Sequence, residues 1–326
     1  MNACRAVPRN CAQIALVAAV ATLPAVAWSE TYPSKPIRLV VNSSAGGGAD
    51  VVARLVAEKL AVALKQPVIV ENKPGAGGNI GADYVARAAA DGYTLLAANS
   101  SFASNLTLYR KLPFHPVRDF APVSLMVANY FYLCVPAASP LKSFPELVAK
   151  GRQSELTYAS AGAGQGSHLG MELLKDLAGF KAVHVPYGGM APAAVSLLSG
   201  NVDMSLLTPA SALPQAETGK LRLLGVTAPK RQSSLPDVPA IAEFGLPGFE
   251  VNNWQGLLAP AGTPPAIIAR LNQAVNQALK MPDLDAKLAE MNTEARGSTP
   301  EEFKAFLAAE IDKWRDVIKR TNTQID

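Results

Sequence analysis

Residues 37–50 read IRLVVNSSAGGGAD, a succession of strand, glycine-rich loop and helix start that is typical of α/β proteins. Residues 37–41 read as a strand, and Asp50 stands where it can cap a helix. Apolar residues then recur at helical spacing: Val51, Val52, Leu55, Val56 and Leu60. The small residues between strand and helix leave backbone N–H groups uncovered. The helix would therefore point unpaired amides and its positive dipole end at whatever lies in front of it.

Three further loops of small residues follow predicted strands. They are PGAGGNIG at 74–81, SAGAGQGS at 160–167 and PYGG at 186–189. Any one of them could be an ordinary tight turn. Because α/β sheets bind ligands beyond the carboxyl ends of their strands, several such loops together predict a cleft. Such a cleft could hold a small anion without any charged side chain.

Strand and helix patterns alternate along the chain. Strands at 68–70 and 94–98 and a helix at about 83–90 continue the first unit, which predicts a parallel sheet with right-handed crossovers. A second unit begins near Tyr130. Its predicted strands are 156–160, 182–185, 202–206 and 221–227, and its predicted helices begin at a capping box at 143–146 and span about 168–178 and 190–198.

The predicted chain crosses between two lobes twice, near Asn129 and near Val251. Residues 28–129 and 251–326 are thereby assigned to lobe 1 and residues 130–250 to lobe 2, with two strands as the hinge. Three helices end the chain. The last opens with a capping box and Pro300 at its first position, and its apolar stripe is expected to pack against the sheet.

The first 27 residues resemble a cleavable signal peptide. Arg5 and Arg9 precede an apolar run, and Ala25-Val26-Ala27 fits the small-residue cleavage rule. The run is too short for a membrane span. We expect cleavage after Ala27 and a periplasmic mature protein.

The net charge and the cysteine content argue against two kinds of function, nucleic-acid binding and thiol chemistry. Removing Arg5 and Arg9 lowers the formal net charge from +4 to +2, and no basic run carries interleaved aromatics, so nucleic acid is not an expected partner. Cys134 would remain as a lone thiol within an apolar strand, where a buried core residue is expected.

Most catalytic motifs are missing from the sequence. There is no phosphate-loop motif and no nucleophile elbow, and Ile80 occupies the last glycine position of the dinucleotide pattern. His115, His168 and His184 have no partner at metal-ligand spacing. We expect neither a cofactor nor a metal, and no enzymatic activity. A hydrolase using Ser167 and His168 is a further alternative, although adjacent residues at a helix start point in different directions.

Seven phrases along the chain resemble the substrate-binding receptors of tripartite tricarboxylate transporters, also called Bug proteins. They are YPSKPI at 32–37, VENKPGAGGNIG at 70–81, DGYTLL at 91–96, DFAPV at 119–123, HVPYGG at 184–189, LPDVP at 235–239 and APAGTP at 259–264. The resemblance implies an α/β fold of two lobes, the type II Venus flytrap of periplasmic binding proteins. It also implies capture of a small carboxylate by backbone groups and waters, and delivery to integral-membrane permease subunits. A monomer is expected.

The resemblance also implies which residues contact the ligand. In lobe 1 they are Ser43, Ser44, Gly47, Gly48, Asp50, Gly78 and Asn79; in lobe 2 they are Ser160, Gly162, Gly164, Ser167, His168, Tyr187 and Asp203. Ser100, Ser101 and Thr208 are added because each follows a predicted strand. For three of these residues the sequence leaves two roles open. Asp50 is expected either to cap a helix or to contact the ligand, and Asp203 either to pin a loop or to face the ligand. Tyr187 is expected either to form a wall of the cleft or to be a half-buried aromatic residue.

One departure bears on the ligand. Ser43 and Ser44 stand where the family usually has Pro before the paired glycines, so their hydroxyls could add contacts. The sequence does not identify the ligand, and aliphatic and aromatic mono-, di- and tricarboxylates all stay candidates. It also leaves open a carboxylate-binding module that reports to a membrane sensor instead of serving uptake.

Overall fold

Two β-sheets, one in each lobe, organise this computed structural model, which describes Met1, residues 32–323 and Ile325. The predicted signal peptide and its cleavage site lie outside the described residues. From Tyr32 onward the chain forms one compact unit. No helix among the described residues has the length and apolar character that crossing a membrane requires.

Strands and helices alternate through the first two thirds of the chain, except that β4 is followed directly by β5. Lobe 1 begins with β1 (Ile37–Val41), α1 (Gly48–Leu64), β2 (Val68–Asn72), α2 (Asn79–Ala86), β3 (Thr94–Asn99), α3 (Ser101–Leu108) and β4 (Phe120–Tyr130). Next come β5 (Tyr132–Pro136), α4 (Phe144–Gln153), β6 (Leu156–Ser160), α5 (Gly166–Ala178), β7 (Ala182–Pro186), α6 (Met190–Leu198), β8 (Met204–Leu207), α7 (Pro209–Glu217) and β9 (Leu221–Val226). The last part contains β10 (Asn252–Pro260), α8 (Pro265–Ala278), α9 (Pro282–Glu290), β11 (Glu294–Ala295) and α10 (Pro300–Thr321).

The two sheets are mixed, where the sequence predicted parallel strands. The first has the order β11-β4-β10-β3-β1-β2 and the second the order β7-β6-β8-β5-β9. β1 is parallel to β2 and β3, and β6 is parallel to β7 and β8, as the alternating pattern indicates. β10 returns from the second lobe in the opposite direction and inserts between β3 and β4, antiparallel to both.

Thr227 joins the two segments that cross between the sheets. Its Oγ1 accepts from the Phe131 N–H at 2.9 Å and donates to the Val251 carbonyl at 2.6 Å. Its backbone N–H donates to the Phe131 carbonyl, and its carbonyl accepts from the Val251 N–H. Thr227 is completely buried. The lobe boundaries at 129/130 and 250/251 fall beside these crossings and stay predictions.

Helix α10 covers the first sheet and reaches the second lobe. As predicted, its capping box forms, because Thr299 Oγ1 accepts from the Glu302 N–H and Glu302 accepts from the Thr299 N–H. Its apolar face packs against β4, α3 and α5. Trp254 and Trp314 donate their indole N–H groups to the buried Glu310 carboxylate at 3.2 and 3.0 Å, which satisfies three polar groups inside the core.

Candidate functional site

A cavity of about 560 Å³ lies between the two sheets, at the carboxyl ends of their parallel strands. This volume lies within the usual range for small-molecule sites, about 300–1,000 Å³. Four loops wall it: residues 42–49 and 74–78 from lobe 1, and 161–167 and 188–192 from lobe 2. The start of α7 and the strand crossings complete the wall.

Four helices begin at the wall of this cavity. Their N-cap residues are Gly47 for α1, Gln165 for α5, Gly189 for α6 and Thr208 for α7, and none makes a side-chain capping bond. By contrast, Ser143 and Thr299 cap α4 and α10, which start away from the cavity. The first amides of α1 and α5, those of Gly48 and Gly166, are therefore left for a ligand, and the positive dipole ends favour an anion. Helix α7 contributes fewer donors, because it begins with Pro209, which has no N–H.

Among the described residues that line the cavity, none is charged. Its floor is a row of neutral polar side chains. Asn253 Nδ2 donates to Asn129 Oδ1 at 3.1 Å, and Asn129 Nδ2 donates to Thr293 Oγ1 at 3.0 Å. Val52, Phe131 and Met190 supply apolar surface. A small organic anion with a carbon body matches this lining better than a bare inorganic ion does.

Asp50 fixes the first loop from behind the cavity. Its Oδ2 accepts from the Gly46 N–H at 2.9 Å and from Arg54 Nε at 3.0 Å, and its Oδ1 accepts from Asn72 Nδ2 at 2.9 Å. Asn72 Nδ2 also donates to the Ser43 carbonyl. Burial opposes ionisation, but the hydrogen bonds from Arg54, Gly46 and Asn72 outweigh it and lower the carboxyl pKa. The prediction that Asp50 caps α1 is wrong: the N-cap residue is Gly47, and Asp50 lies three residues later in the first turn, where it steadies the loop by reaching back to it.

Two histidines, buried His168 and half-buried His184, hold the third loop. His168 Nδ1 accepts from the Gly164 N–H at 2.9 Å, and His184 Nε2 lies 2.6 Å from Ser160 Oγ. Burial lowers the His168 pKa to about 3, with smaller contributions from His184 and Lys175. Burial likewise lowers the His184 pKa to about 4. Both rings are therefore neutral at physiological pH.

Of the residues predicted to contact the ligand, seven line the cavity: Ser43, Ser44, Gly47, Gly48, Gly78, Ser167 and Thr208. The Ser167 hydroxyl accepts from the Ala161 N–H at 3.1 Å and keeps its own hydrogen free to donate. Ligand contact by these seven residues stays a prediction.

The other ten predicted contacts do not line the cavity: Asp50, Asn79, Ser100, Ser101, Ser160, Gly162, Gly164, His168, Tyr187 and Asp203. Several are bonded within the protein. Asn79 Oδ1 accepts from Asn105 Nδ2 at 2.6 Å, the Tyr187 and Ser196 hydroxyls share a hydrogen bond, and Ser101 Oγ donates to the Gly77 carbonyl at 3.0 Å.

Asp203 and Gly164 are also engaged away from the cavity. Asp203 Oδ2 accepts from the Thr157 N–H and hydroxyl at 2.7 and 2.8 Å, which matches the loop-pinning alternative. A Cβ atom on Gly164 would lie 2.8 Å from Leu108 and from Ile325.

The amide row of the cavity floor is absent from the predicted site residues. Asn129 ends an apolar strand, and Asn253 and Gln255 interrupt another at alternate positions. Amides at alternate positions of an otherwise apolar strand indicate one polar face, and this signal could have identified them. Their meeting depends on the antiparallel register of β4 and β10, which the sequence does not reveal.

The hydrolase alternative finds little support in the geometry of Ser167 and His168. The His168 acceptor nitrogen is occupied by the Gly164 N–H, not by the Ser167 hydroxyl. Ser160 does pair with His184, but Ser160 is completely buried. Within the described residues, no three His, Cys, Asp or Glu side chains cluster closely enough to hold a metal.

Comparison with known proteins agrees with this architecture. The model of the tripartite tricarboxylate transporter family receptor, TctC, matches residues 52–323. Protein BugT of Bordetella pertussis is 36% identical over 321 residues, covering 97% of this chain and 98% of BugT. An R. palustris protein solved with adipate has a TM-score of 0.83 at 34% identity, covering 90% of this chain and 99% of its own.

A second solved structure carries a different ligand. MatC from Rhodopseudomonas palustris with bound malate has a TM-score of 0.78 at 33% identity, covering 88% of this chain and all of MatC. With a family match over most of the sequence and a relative matched along nearly its whole length, the chain belongs to the tripartite tricarboxylate transporter receptor family.

Proposed function

We propose that this protein captures a small carboxylate in the cavity between its lobes and delivers it to a tripartite tricarboxylate-type permease. The observation that carries the proposal is a cavity onto which four helix N-termini open and whose lining, among the described residues, carries no charge. Similar proteins are solved with adipate and with malate, both small carboxylates. The export signal predicted at residues 1–27 supports a periplasmic site of action.

The carboxylate is held by fixed backbone donors in this proposal. The amides at the start of α1, after Gly47, come from lobe 1, and those at the start of α5, after Gln165, come from lobe 2. The hydroxyls of Ser43, Ser44, Ser167 and Thr208 add contacts. A hydrogen bond to a charged acceptor contributes about 1.5–3 kcal/mol, so a few such donors suffice for tight binding.

Five of the ten predicted site residues outside the cavity lining act on the ligand through the loops. Asp50 steadies the first loop, and Ser160, Gly162, Gly164 and His168 shape the third. Residues 28–129 with 251–326, and residues 130–250, are the two lobes that bring these loops together. The apolar surface of Val52, Phe131 and Met190 accommodates an aliphatic or an aromatic carbon body.

A thermal-shift screen followed by calorimetric titration tests this proposal. Adipate, malate and benzoate are compared with their neutral amides, since an anion site should discriminate against the uncharged analogue. A ligand at 100 times its dissociation constant stabilises the protein by about 2.7 kcal/mol, which a melting curve resolves. Stabilisation by amides as strong as by the acids would contradict an anion site. No response to a broad carboxylate panel would refute the proposed ligand class.

A further inference from the structure

The third loop is the part of the cavity wall that has the most elaborate support behind it. Ala161, Gln165, Gly166 and Ser167 line the cavity, while the loop between them turns away from it. Gly162 and Gly164 both have positive φ angles, 132° and 76°, so the loop needs an unusual backbone shape. Something must hold that shape when no ligand is bound.

Two side-chain acceptors take the amides of these glycines. The Gly164 N–H donates to His168 Nδ1 at 2.9 Å, and the Gly162 N–H donates to Ser160 Oγ at 3.1 Å. Ser160 Oγ in turn lies 2.6 Å from His184 Nε2. The two glycine amides that do not face the cavity are thus tied to one pair of histidines, of which His168 is buried and His184 is half-buried.

The two imidazole rings support each other. Their centroids are 3.8 Å apart with 12° between the planes, and Tyr158 stacks on His184 at 5.0 Å. The ionisable groups around the pair are Tyr158, Glu172 and Lys175; Lys175 pairs with Glu172 at 2.7 Å, and Glu172 also accepts from the Tyr158 hydroxyl. Since Nδ1 of His168 accepts a hydrogen bond, its proton lies on Nε2.

We propose that His168 is a positioning residue of the anion site. Stacked on His184, it accepts a hydrogen bond from the Gly164 N–H. This bond sets the backbone shape in which residues 161–167 present their amides to the ligand. This inference rests on the proposed function for its effect on affinity. A doubly protonated His168 cannot accept this bond, so the loop keeps its shape only while the ring is neutral. Two charged rings at 3.8 Å would also repel each other.

Two substitutions separate the acceptor from the bulk of the ring. His168→Phe keeps an aromatic ring for stacking but removes the acceptor. His168→Asn keeps an acceptor oxygen near the position of Nδ1. Tyr158→Phe is the matched control, because it removes the hydrogen bond to Glu172 in the same buried cluster and leaves the Gly164 bond intact.

The first readout needs no ligand. We expect amide hydrogen exchange at Gly164 to be at least about tenfold faster in His168→Phe than in the parent, because this variant leaves the Gly164 amide unpaired. In His168→Asn and Tyr158→Phe the amide keeps an acceptor, so the exchange rate should stay within about threefold of the parent. Nitrogen NMR of the parent should show His168 as the Nε2–H tautomer. Unchanged exchange in His168→Phe, or an Nδ1–H tautomer in the parent, would overturn the proposal, and the tautomer is decisive even if a variant fails to fold.

The second readout is calorimetric titration with adipate and malate. We expect at least about tenfold weaker binding in His168→Phe and near-parent binding in His168→Asn, while Tyr158→Phe melts at a lower temperature but binds normally. Equal loss of affinity in Tyr158→Phe and His168→Phe would mean a general structural role and would overturn the proposal. If the parent binds neither probe, the proposed function fails for these ligands, while hydrogen exchange still decides the role of His168.

Discussion

Gly48→Pro removes a single backbone donor from the cavity and leaves every side chain in place. Gly48 is the first residue of α1, where proline is favoured and its missing N–H breaks no helical hydrogen bond. The preceding residue, Gly47, has φ −77° and ψ 163°, which is the extended backbone that a following proline requires. A Cβ at Gly48 meets nothing within 4 Å. The substitution should therefore be tolerated by the fold.

The expected loss is that of one charge-assisted hydrogen bond. Such a bond contributes about 1.5–3 kcal/mol, and each 1.4 kcal/mol corresponds to a tenfold change in the dissociation constant. Gly48→Pro should therefore bind the best carboxylate roughly 10- to 150-fold more weakly. Its melting temperature should be unchanged or slightly higher, since proline restricts the unfolded chain.

Gly48→Ala is the matched control, because it adds a methyl group in the same open space and keeps the N–H. Calorimetric titration of the parent and both variants gives the comparison, with circular dichroism as the folding control. Equal affinity in all three proteins would refute the assignment of the Gly48 amide to the anion. Equal loss in both variants would point to a steric effect of the added carbon.

Three further predictions concern the first loop, the third loop and the exported form. Asp50→Ala should lower the free energy of unfolding by about 1.5–3 kcal/mol, chiefly by freeing the Gly46 N–H. Because the folded pKa of Asp50 is below its ordinary value of 3.8, this loss, measured by urea unfolding, should be full at neutral pH and should shrink as acid protonates Asp50 in the parent. A loss that grew in acid would contradict this. Gly164→Ala should lower the melting temperature, because φ is 76° and the new methyl meets Leu108 at 2.8 Å; an unchanged melting curve would show that the loop relaxes freely. Mass spectrometry of the exported protein should find an unmodified N-terminus at Trp28, and a retained leader would refute the predicted cleavage after Ala27.

The sequence predicted elements well where apolar periodicity is strong. β1, β6 and α6 have the predicted bounds, because their apolar residues pack on one face or inside a sheet and flanking glycines or polar residues mark their ends. Helix α3 was missed, since its serines and asparagine favour turns locally. It forms because Phe102 and Leu108 are buried and because Asn105 and Ser101 bond to the Gly77 carbonyl, contacts that the local sequence cannot show.

Helix α7 was also missed, and Pro214 inside it explains why. A proline within a helix removes a hydrogen bond and normally argues against one. Helix α2 begins at Asn79, four residues before the predicted start, directly after a turn of 3-10 helix at Ala76–Gly78. Because glycines are typical of loops, the glycines in that turn led to a predicted helix start that was too late in the sequence.

Position along the chain indicated the glycine loops but not the direction of their side chains. Ser167 and His168 are neighbours in sequence, yet only Ser167 lines the cavity, because successive residues of a helix point about 100° apart. The stacking of His168 on His184 joins α5 to β7, and the amide row joins β4 to β10. Such contacts arise from tertiary packing and register, so local pattern alone could not predict them.

A crystal structure with the tightest-binding carboxylate of the panel would show whether backbone amides hold the anion. The carboxylate oxygens should lie within about 3 Å of backbone amides at the starts of α1 and α5, with no lysine or arginine nitrogen in contact. A carboxylate paired with an arginine or lysine, or bound outside the cavity between the lobes, would contradict this mode of binding.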